Sequence, residues 1–253
     1  MGHRKEELFM QLIMKERPDI GLKEVHLWNI CLDQTGPSID DFASILSEEE
    51  YNRANSYISE TIRRRYIVSH GFLRIILGAY LNQDPSEVRI VSGPYGKPCL
   101  EEGQETIQFS MSHSEEQALF AFAQKSRIGI DLEKIREIPN MEQIVKRYFS
   151  ERENDEFFQL SPRDRPIGFF NGWTRKEAFV KAIGRGMTFP LRKIEVSLSP
   201  NVRAELLNAE GYPESMLGWS LHHLEPASGY LAALAVEGQN FEIKPYHAGS
   251  LFG

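Results

Sequence analysis

At 253 residues and a formal net charge of −7, the chain has an ordinary globular composition and is too acidic for a general nucleic-acid binder. No apolar run approaches the roughly 20 residues of a membrane span. The charged opening stretch is unlike a signal peptide, and Cys31 and Cys99 lie far apart, as expected of reduced structural cysteines. We therefore predict a cytoplasmic protein with no membrane and no nucleic-acid partner.

The first half of the chain predicts a strand, two helices and then further strands. VHLWNI at 25–30 has the pattern of a strand, and SEEE at 47–50 is a capping box that starts a helix. A second helix contains FLRIILG at 72–78, and β-branched residues in SEVRIVS at 86–92 indicate another strand. PYGKP at 94–98 is typical of a turn.

The same order recurs in the second half, at offsets that drift from 103 to 110 residues. IGIDLE, YFSERE, FVKAIGR and RKIEVSL follow in turn, and WSLHHLEPASGYLAALA resembles FSMSHSEEQALFAFA of the first half. In this alignment Arg74 matches Lys181. The repeat predicts an α+β fold built by pseudo-two-fold duplication of an α+β subdomain, with subdomains at 1–126 and 127–253 and a cleft between them.

The halves differ in where they carry carboxylates. Asp131 and Glu133 stand where the first half has Trp28 and Ile30. Alternate residues of a strand share a face, so the two carboxylates lie side by side. An edge strand with a solvated face would explain them, and so would a bound cation.

A third carboxylate lies in FFNGWTRKEAFVKAIGRGM at 169–187, which predicts a helix that ends at its glycines. Trp173, Glu177 and Lys181 recur every four residues and so share one face of it. Taken alone, Glu177 and Lys181 could be a surface ion pair. Together with Asp131, the helix and strand could supply oxygen ligands to Mg²⁺, a cation that usually bridges carboxylates to substrate phosphates.

Phosphate groups would need cationic partners, and the chain has several candidates. They are Lys181, Arg74, Lys97, His113 and the cluster Arg63, Arg64 and Arg65. Ser112 beside His113 can donate a hydrogen bond to a phosphate oxygen. Each cation alone is also compatible with a solvated surface position.

Five segments, in this order and spacing, resemble the Sfp-type 4'-phosphopantetheinyl transferase family. They are YGKP at 95–98, FSMSHS at 109–114, GIDLEKI at 129–135, RYFSERE at 147–153 and WTRKEAFVKAIGRG at 173–186. The resemblance implies a pseudo-dimeric fold with coenzyme A in the central cleft. It also implies Mg²⁺-dependent transfer of the 4'-phosphopantetheine arm to a serine of an apo acyl or peptidyl carrier protein, with release of adenosine 3',5'-bisphosphate.

Matched motif by motif, the resemblance implies roles for individual residues. The metal ligands would be Asp131, Glu133 and Glu177. Coenzyme A would be contacted by Lys181 and Ser112 at the pyrophosphate, by His113 with Arg74 or an arginine such as Arg65 at the 3'-phosphate, and by Tyr95, Gly96, Lys97 and Pro98 at the adenine. Glu153, or alternatively Glu133, would accept the proton of the attacking serine, while Glu177 and Lys181 serve catalysis beside them.

Two other functions remain open from the residues alone. One is a different Mg²⁺-dependent phosphoryl or nucleotidyl enzyme, and the other is a binding module for coenzyme A or a carrier that has lost turnover. Because one chain supplies both halves of the cleft, we predict a monomer. A basic patch of Lys146, Arg147, Arg163 and Arg165 is predicted to meet the acidic carrier.

Overall fold

The computed structural model describes residues 19–33, 37–101, 106–212 and 218–247. The strands are β1 (Glu24–Cys31), β2 (Ile90–Ser92), β3 (Pro98–Leu100), β4 (Ile107–Ser114), β5 (Gln117–Gln124), β6 (Ile128–Lys134), β7 (Ile194–Val196), β8 (Leu206–Ala209), β9 (Trp219–Leu224), β10 (Tyr230–Glu237) and β11 (Glu242–His247). The α-helices are α1 (Ile39–Ser44), α2 (Glu48–Asn55), α3 (Glu60–Leu81), α4 (Met141–Tyr148), α5 (Glu151–Gln159) and α6 (Arg165–Ile183). The predicted α+β class is confirmed. None of these helices combines the length and apolar character needed to cross a membrane.

Two main sheets contain most of the strands. The first has the order β11-β1-β5-β4, and the second has the order β6-β10-β9. The pairs β2-β3 and β7-β8 form two small ribbons. From β1 to β5 and from β6 to β10 the same sequence of elements therefore occurs twice: strand, three helices, ribbon and hairpin.

The alternation of the strands repeats as well. Val25 and Leu27 of β1 and Ile128 and Ile130 of β6 all face one apolar cluster, which fits the predicted offset of 103 residues. The chain after β10 departs from the repeat, because β11 returns to pair in parallel with β1. The first sheet thus contains a strand from beyond position 127, and the division at 126 remains a prediction.

Alternation along the strands divides the core into layers. Odd-numbered residues of β1 and even-numbered residues of β6 meet in one apolar cluster between the two sheets, where Leu27 and Ile130 lie. On the opposite faces, Trp28 packs in the cluster that contains α3, and Phe179 of α6 packs in the cluster of the second half. The order of layers is helix, sheet, sheet, helix.

Matching capping boxes start a helix in each half, as predicted. Ser47 caps α2 together with Glu50, and Ser150 caps α5 together with Glu153. In each box the serine accepts a backbone N–H while the glutamate accepts the N–H of the serine. Each glutamate then extends inward to a cation on the long helix of its half.

These buried ion pairs correct one detail of the predicted alignment. Glu50 accepts from Arg74 Nε at 2.6 Å, and Glu153 lies 2.5 Å from Lys176 Nζ. Each cation also donates to backbone carbonyls of the segment after its helix, Arg74 to Val88 and Lys176 to Ile194. Arg74 therefore corresponds to Lys176, not to Lys181, because Arg74 and Lys176 make the same kinds of contact in their two halves.

Candidate active site

Strand β6, which packs against helix α6, brings two of the three predicted carboxylates into the cleft. Gly129 lies so close to Ala178 and Ala182 that a Cβ there would meet the backbone of α6. This close approach presses one face of β6 against the helix. Asp131 and Glu133 follow on that same face and line the cleft.

Helix α6 presents a narrow stripe to the same cleft. Between positions 171 and 182 its residues are buried except for Trp173, Glu177 and Lys181, which are half-buried. All three line the cleft, whose volume is about 850 Å³. The predicted four-residue spacing on one face is confirmed, and the surface ion pair considered from sequence does not describe these residues.

Asp131 is the most enclosed of the three carboxylates, with 6% of its surface exposed. Its Oδ1 accepts from Lys181 Nζ at 2.7 Å and from Ser112 Oγ at 3.1 Å. Its Oδ2 is buried with no hydrogen-bond partner. A buried carboxylate oxygen without a partner is costly, so this atom is suited to a ligand that supplies positive charge.

The charges of the three carboxylates affect one another. Burial, followed by the charge of Asp131, raises the pKa of Glu133, and burial followed by Asp131 also raises the pKa of Glu177. Within the described ranges no three acidic, histidine or cysteine side chains are gathered as a preformed metal cluster. The donor chemistry nevertheless fits a hard cation, because all three side chains offer oxygen and Asp131 Oδ2 lacks a partner.

The opposite wall of the cleft comes from the first half, and the sequence analysis did not predict most of its residues as site residues. It includes Arg53, Tyr57, Tyr66 and His70. The rings of Tyr66 and His70 stack with centroids 3.8 Å apart. Burial lowers the pKa of His70 to about 4, which leaves its ring neutral near pH 7. No motif marked these residues, because they come together only when α2 and α3 pack side by side.

His113 lies in this cleft as predicted. Its side chain is exposed, and partial desolvation, followed by the charges of Lys181 and Arg65, lowers its pKa. Arg65 is thus near His113, but its guanidinium is held by Asp33 at 2.7 Å and by Glu115 at 3.2 Å. Arg65 is not among the residues that line the cleft, whereas Arg53 is.

Arg74 does not reach the cleft. Only 2% of its surface is exposed, and its guanidinium is occupied by Glu50 and by the carbonyls of Pro85 and Val88. This geometry contradicts the expectation that Arg74 contacts a phosphate. It is a structural residue of the first half.

Glu153 is also placed away from the cleft. It has no exposed surface, and Ser150 N, Val196 N and Lys176 Nζ all bind its carboxylate. Burial raises the pKa of Glu153 and lowers the pKa of Lys176. The structure therefore does not bring Glu153 together with Asp131, Glu133 and Glu177 around the cleft.

The loop from Tyr95 to Pro98 lies between the halves. These four residues line a smaller cavity of about 240 Å³, together with Glu177 and Lys181. Lys97 Nζ donates to the carbonyl of Ile128 at 2.8 Å, and burial lowers its pKa to about 8. The two cavities share Gly96, Pro98, Glu177 and Lys181 among their lining residues, so one elongated ligand can occupy both.

Comparison with known proteins identifies the family. Residues 127–235 match the 4'-phosphopantetheinyl transferase superfamily. The chain is 38% identical over 226 residues to the 4'-phosphopantetheinyl transferase HetI of Nostoc sp., covering 88% of this chain and 92% of that protein. It is 29% identical over 157 residues to the 4'-phosphopantetheinyl transferase Sfp of Bacillus subtilis, covering 62% of this chain and 68% of that protein.

Among solved structures, an apo-ACPS structure from Chronobacterium ammoiniagenes aligns with a TM-score of 0.34 and 18% identity, over 45% of this chain and 98% of that chain. That likeness is too low to carry an argument. The relation to HetI extends over nearly the whole of both chains. The chain therefore belongs to the 4'-phosphopantetheinyl transferase family, and the resemblance found in its motifs is confirmed.

Proposed function

We propose that this protein transfers the 4'-phosphopantetheine arm of coenzyme A to a serine of an apo acyl or peptidyl carrier protein, using Mg²⁺ and releasing adenosine 3',5'-bisphosphate. The observation that carries the proposal is the arrangement around Asp131. A partnerless buried carboxylate oxygen, two neighbouring carboxylates and the ammonium of Lys181 meet in a cleft large enough for an elongated substrate.

Asp131, Glu133 and Glu177 are the proposed ligands of the metal. A bound Mg²⁺ would supply positive charge to the pyrophosphate and relieve the repulsion among the carboxylates. Lys181 contributes a second positive charge at the departing oxygen. Stabilising this developing charge is the main task of a site for phosphoryl transfer.

The proton of the attacking serine needs an acceptor, and the placement of the carboxylates favours Glu133. Glu133 lines the cleft, where the carboxylate oxygen that the metal leaves unbound would accept the proton. The family resemblance offers Glu153 as the alternative base. The carboxylate oxygens of Glu153 are already bound to Lys176 and to two backbone N–H groups. We assign Glu153 to maintaining the position of α6.

Coenzyme A would extend across both halves of the cleft. Tyr95, Gly96, Lys97 and Pro98 would enclose the adenine in the smaller cavity. The 3'-phosphate would meet His113 and Arg53, since Arg53 lines the cleft while Arg65 is paired with two carboxylates. Arg65 remains the alternative from the family resemblance.

The carrier protein would dock beside the second half, at the predicted basic patch. Lys146, Arg147 and Arg163 are exposed there, and Lys146 lies over the ring of Phe158. Arg165 is half-buried and bound to Glu142, so it offers less of its charge. A monomer that acts in the cytoplasm remains part of this proposal.

Intact-protein mass spectrometry tests the reaction directly. An apo carrier incubated with this protein, coenzyme A and Mg²⁺ should gain the mass of phosphopantetheine. The gain should disappear with a chelator and with a carrier whose acceptor serine is replaced by alanine. Coenzyme A binding without any mass gain on fatty-acid, polyketide or peptide carriers would reject transfer and leave a binding module.

The 3'-phosphate assignment has its own test. Arg53→Ala and His113→Ala should each weaken the binding of coenzyme A by about tenfold. This is the effect of losing one charge-assisted contact of about 1.4 kcal/mol. Binding of dephospho-coenzyme A, measured by titration calorimetry, should change little. If Arg65→Ala shows this selective loss and Arg53→Ala does not, the 3'-phosphate lies at Arg65. If neither variant distinguishes the two ligands, neither arginine binds the 3'-phosphate, and equal affinity of the wild-type protein for both ligands would mean that it does not recognise the 3'-phosphate.

A further inference from the structure

Strands β4 and β6 run side by side without pairing to each other, and serine side chains join them. The backbone N–H groups of Ile130, Leu132 and Lys134 donate to Ser110, Ser112 and Ser114 Oγ at 3.1, 3.2 and 3.1 Å. We call these three serines of β4 the serine seam. Without their hydroxyls, buried N–H groups on the edge of β6 would lose their acceptors.

Ser112 is the member of the seam with the most contacts. Its Oγ accepts from Leu132 N at 3.2 Å and from Lys181 Nζ at 3.0 Å, and it donates to Asp131 Oδ1 at 3.1 Å. A hydroxyl has one proton to donate and two lone pairs that accept. All three are in use, so Ser112 links Asp131, Lys181 and the edge of β6 at one atom.

We propose that Ser112 is a positioning residue that orients Asp131 and Lys181. The inference rests on the proposed function, because Asp131 is a proposed metal ligand. The hydrogen bond from Ser112 fixes Oδ1 of Asp131, which leaves the partnerless Oδ2 free to bind the proposed metal ion. Residues that orient a metal ligand in this way influence metal affinity without touching the metal.

Other members of the seam provide a matched comparison. Ser110 accepts the N–H of Ile130 but contacts none of the three carboxylates among the bonds described. Ser114 accepts from Lys134 and approaches Glu133 Oε2 at a longer 3.4 Å. Ser110 therefore separates the role of joining the strands from the role of orienting Asp131.

The test compares Ser112→Ala with Ser110→Ala in two binding measurements. Mn²⁺ affinity in the presence of coenzyme A, followed by electron paramagnetic resonance, should fall between about tenfold and a hundredfold in Ser112→Ala. It should stay within about twofold in Ser110→Ala, although both variants lose one hydrogen bond of the seam. Coenzyme A affinity in chelator, measured by calorimetry, should stay within about twofold for Ser112→Ala.

A loss of coenzyme A affinity in chelator as large as the loss of Mn²⁺ affinity would make Ser112 a phosphate ligand and overturn the inference. Unchanged Mn²⁺ affinity in Ser112→Ala would also overturn it. Ser112→Thr keeps the hydroxyl, should retain most Mn²⁺ affinity, and covers the case in which the alanine variant fails to fold. If the wild-type protein itself fails to bind Mn²⁺ with coenzyme A, the proposed metal site falls and the role of Ser112 falls with it.

Discussion

Strands β1 and β6 occupy equivalent places in the two sheets, but their outer edges are closed in different ways. Strand β11 pairs with β1 in parallel along most of its length. The edge of β6 is met instead by the hydroxyls of the serine seam. The proposed site lies at the edge of β6, where the duplicated plan lacks a paired strand.

The faces of these strands differ as well. Trp28 and Ile30 of β1 are 4% exposed each and pack in the first core cluster. Their counterparts Asp131 and Glu133 turn the same face of β6 into a charged wall of the cleft. Equivalent positions in the two halves therefore face the same way in their sheets. The residue type at each position determines whether it packs in an apolar core or lines the cleft.

The largest expected effect comes from the charged face. Asp131→Asn keeps the size of the side chain but removes the charge that holds Lys181 at 2.7 Å. We expect carrier loading to fall at least about 10²- to 10³-fold, the cost of losing one preorganised electrostatic contact. Thermal unfolding should change little, because the repulsion between Asp131 and the carboxylates of Glu133 and Glu177 is removed at the same time, and the Lys181 side chain left behind is 30% exposed.

Trp28→Ala is the matched change in the first half. It deletes a ring that stacks on Tyr246 at 4.5 Å and contacts Phe72 edge-on. We expect a loss of about 3–5 kcal/mol in the free energy of unfolding. The Mg²⁺ dependence of transfer by the remaining folded protein should be unchanged. Equal losses of stability in Trp28→Ala and Asp131→Asn would contradict the view that Trp28 is a core residue and Asp131 a residue of the site.

The twin ion pairs allow a second comparison, measured by urea unfolding. Glu153→Gln breaks a pair in which neither side chain is exposed, whereas Glu50→Gln breaks one in which the carboxylate is 13% exposed. Breaking a buried pair costs about 3–5 kcal/mol. We expect the loss to be larger for Glu153→Gln, because water can reach the position of the Glu50 carboxylate beside Arg74, whereas both side chains of the Glu153 pair are closed to water.

Adding Lys176→Met to Glu153→Gln separates structure from proton transfer. Removing the unpaired ammonium should restore part of the stability. If Glu153 only maintains the position of α6, carrier loading should recover together with stability. Recovery of stability with transfer still lost would instead return Glu153 to the role of base.

Local patterns in the sequence predicted much of this arrangement. The capping boxes at Ser47 and Ser150 and the stripe of Trp173, Glu177 and Lys181 depend on residues within one helix, so spacing alone identified them. The repeat predicted the order of the other elements but missed one helix in each half, α1 and α4.

Contacts between distant segments could not be predicted in the same way. The serine seam depends on which strand edge lies beside β4, and the placement of Arg53 depends on how α2 packs. Arg74 was aligned with the wrong lysine for the same reason, since its partners Glu50 and Val88 are contacts of the folded chain. Family motifs located the site, but they did not separate residues that face the cleft from those behind it, such as Glu153.

The smallest expected effect concerns Lys97, which joins the first half to the beginning of β6. Its ammonium donates to the Ile128 carbonyl, and burial lowers its pKa to about 8 from the ordinary 10.5. Between these values the unfolded chain binds more protons than the folded chain, so the free energy of unfolding should rise with pH. Lys97→Met should reduce that rise in urea unfolding at pH 8, 9 and 10, and Lys146→Met, which alters an exposed lysine, should not. An identical rise in all three proteins would mean that the Lys97 side chain is not buried against the beginning of β6.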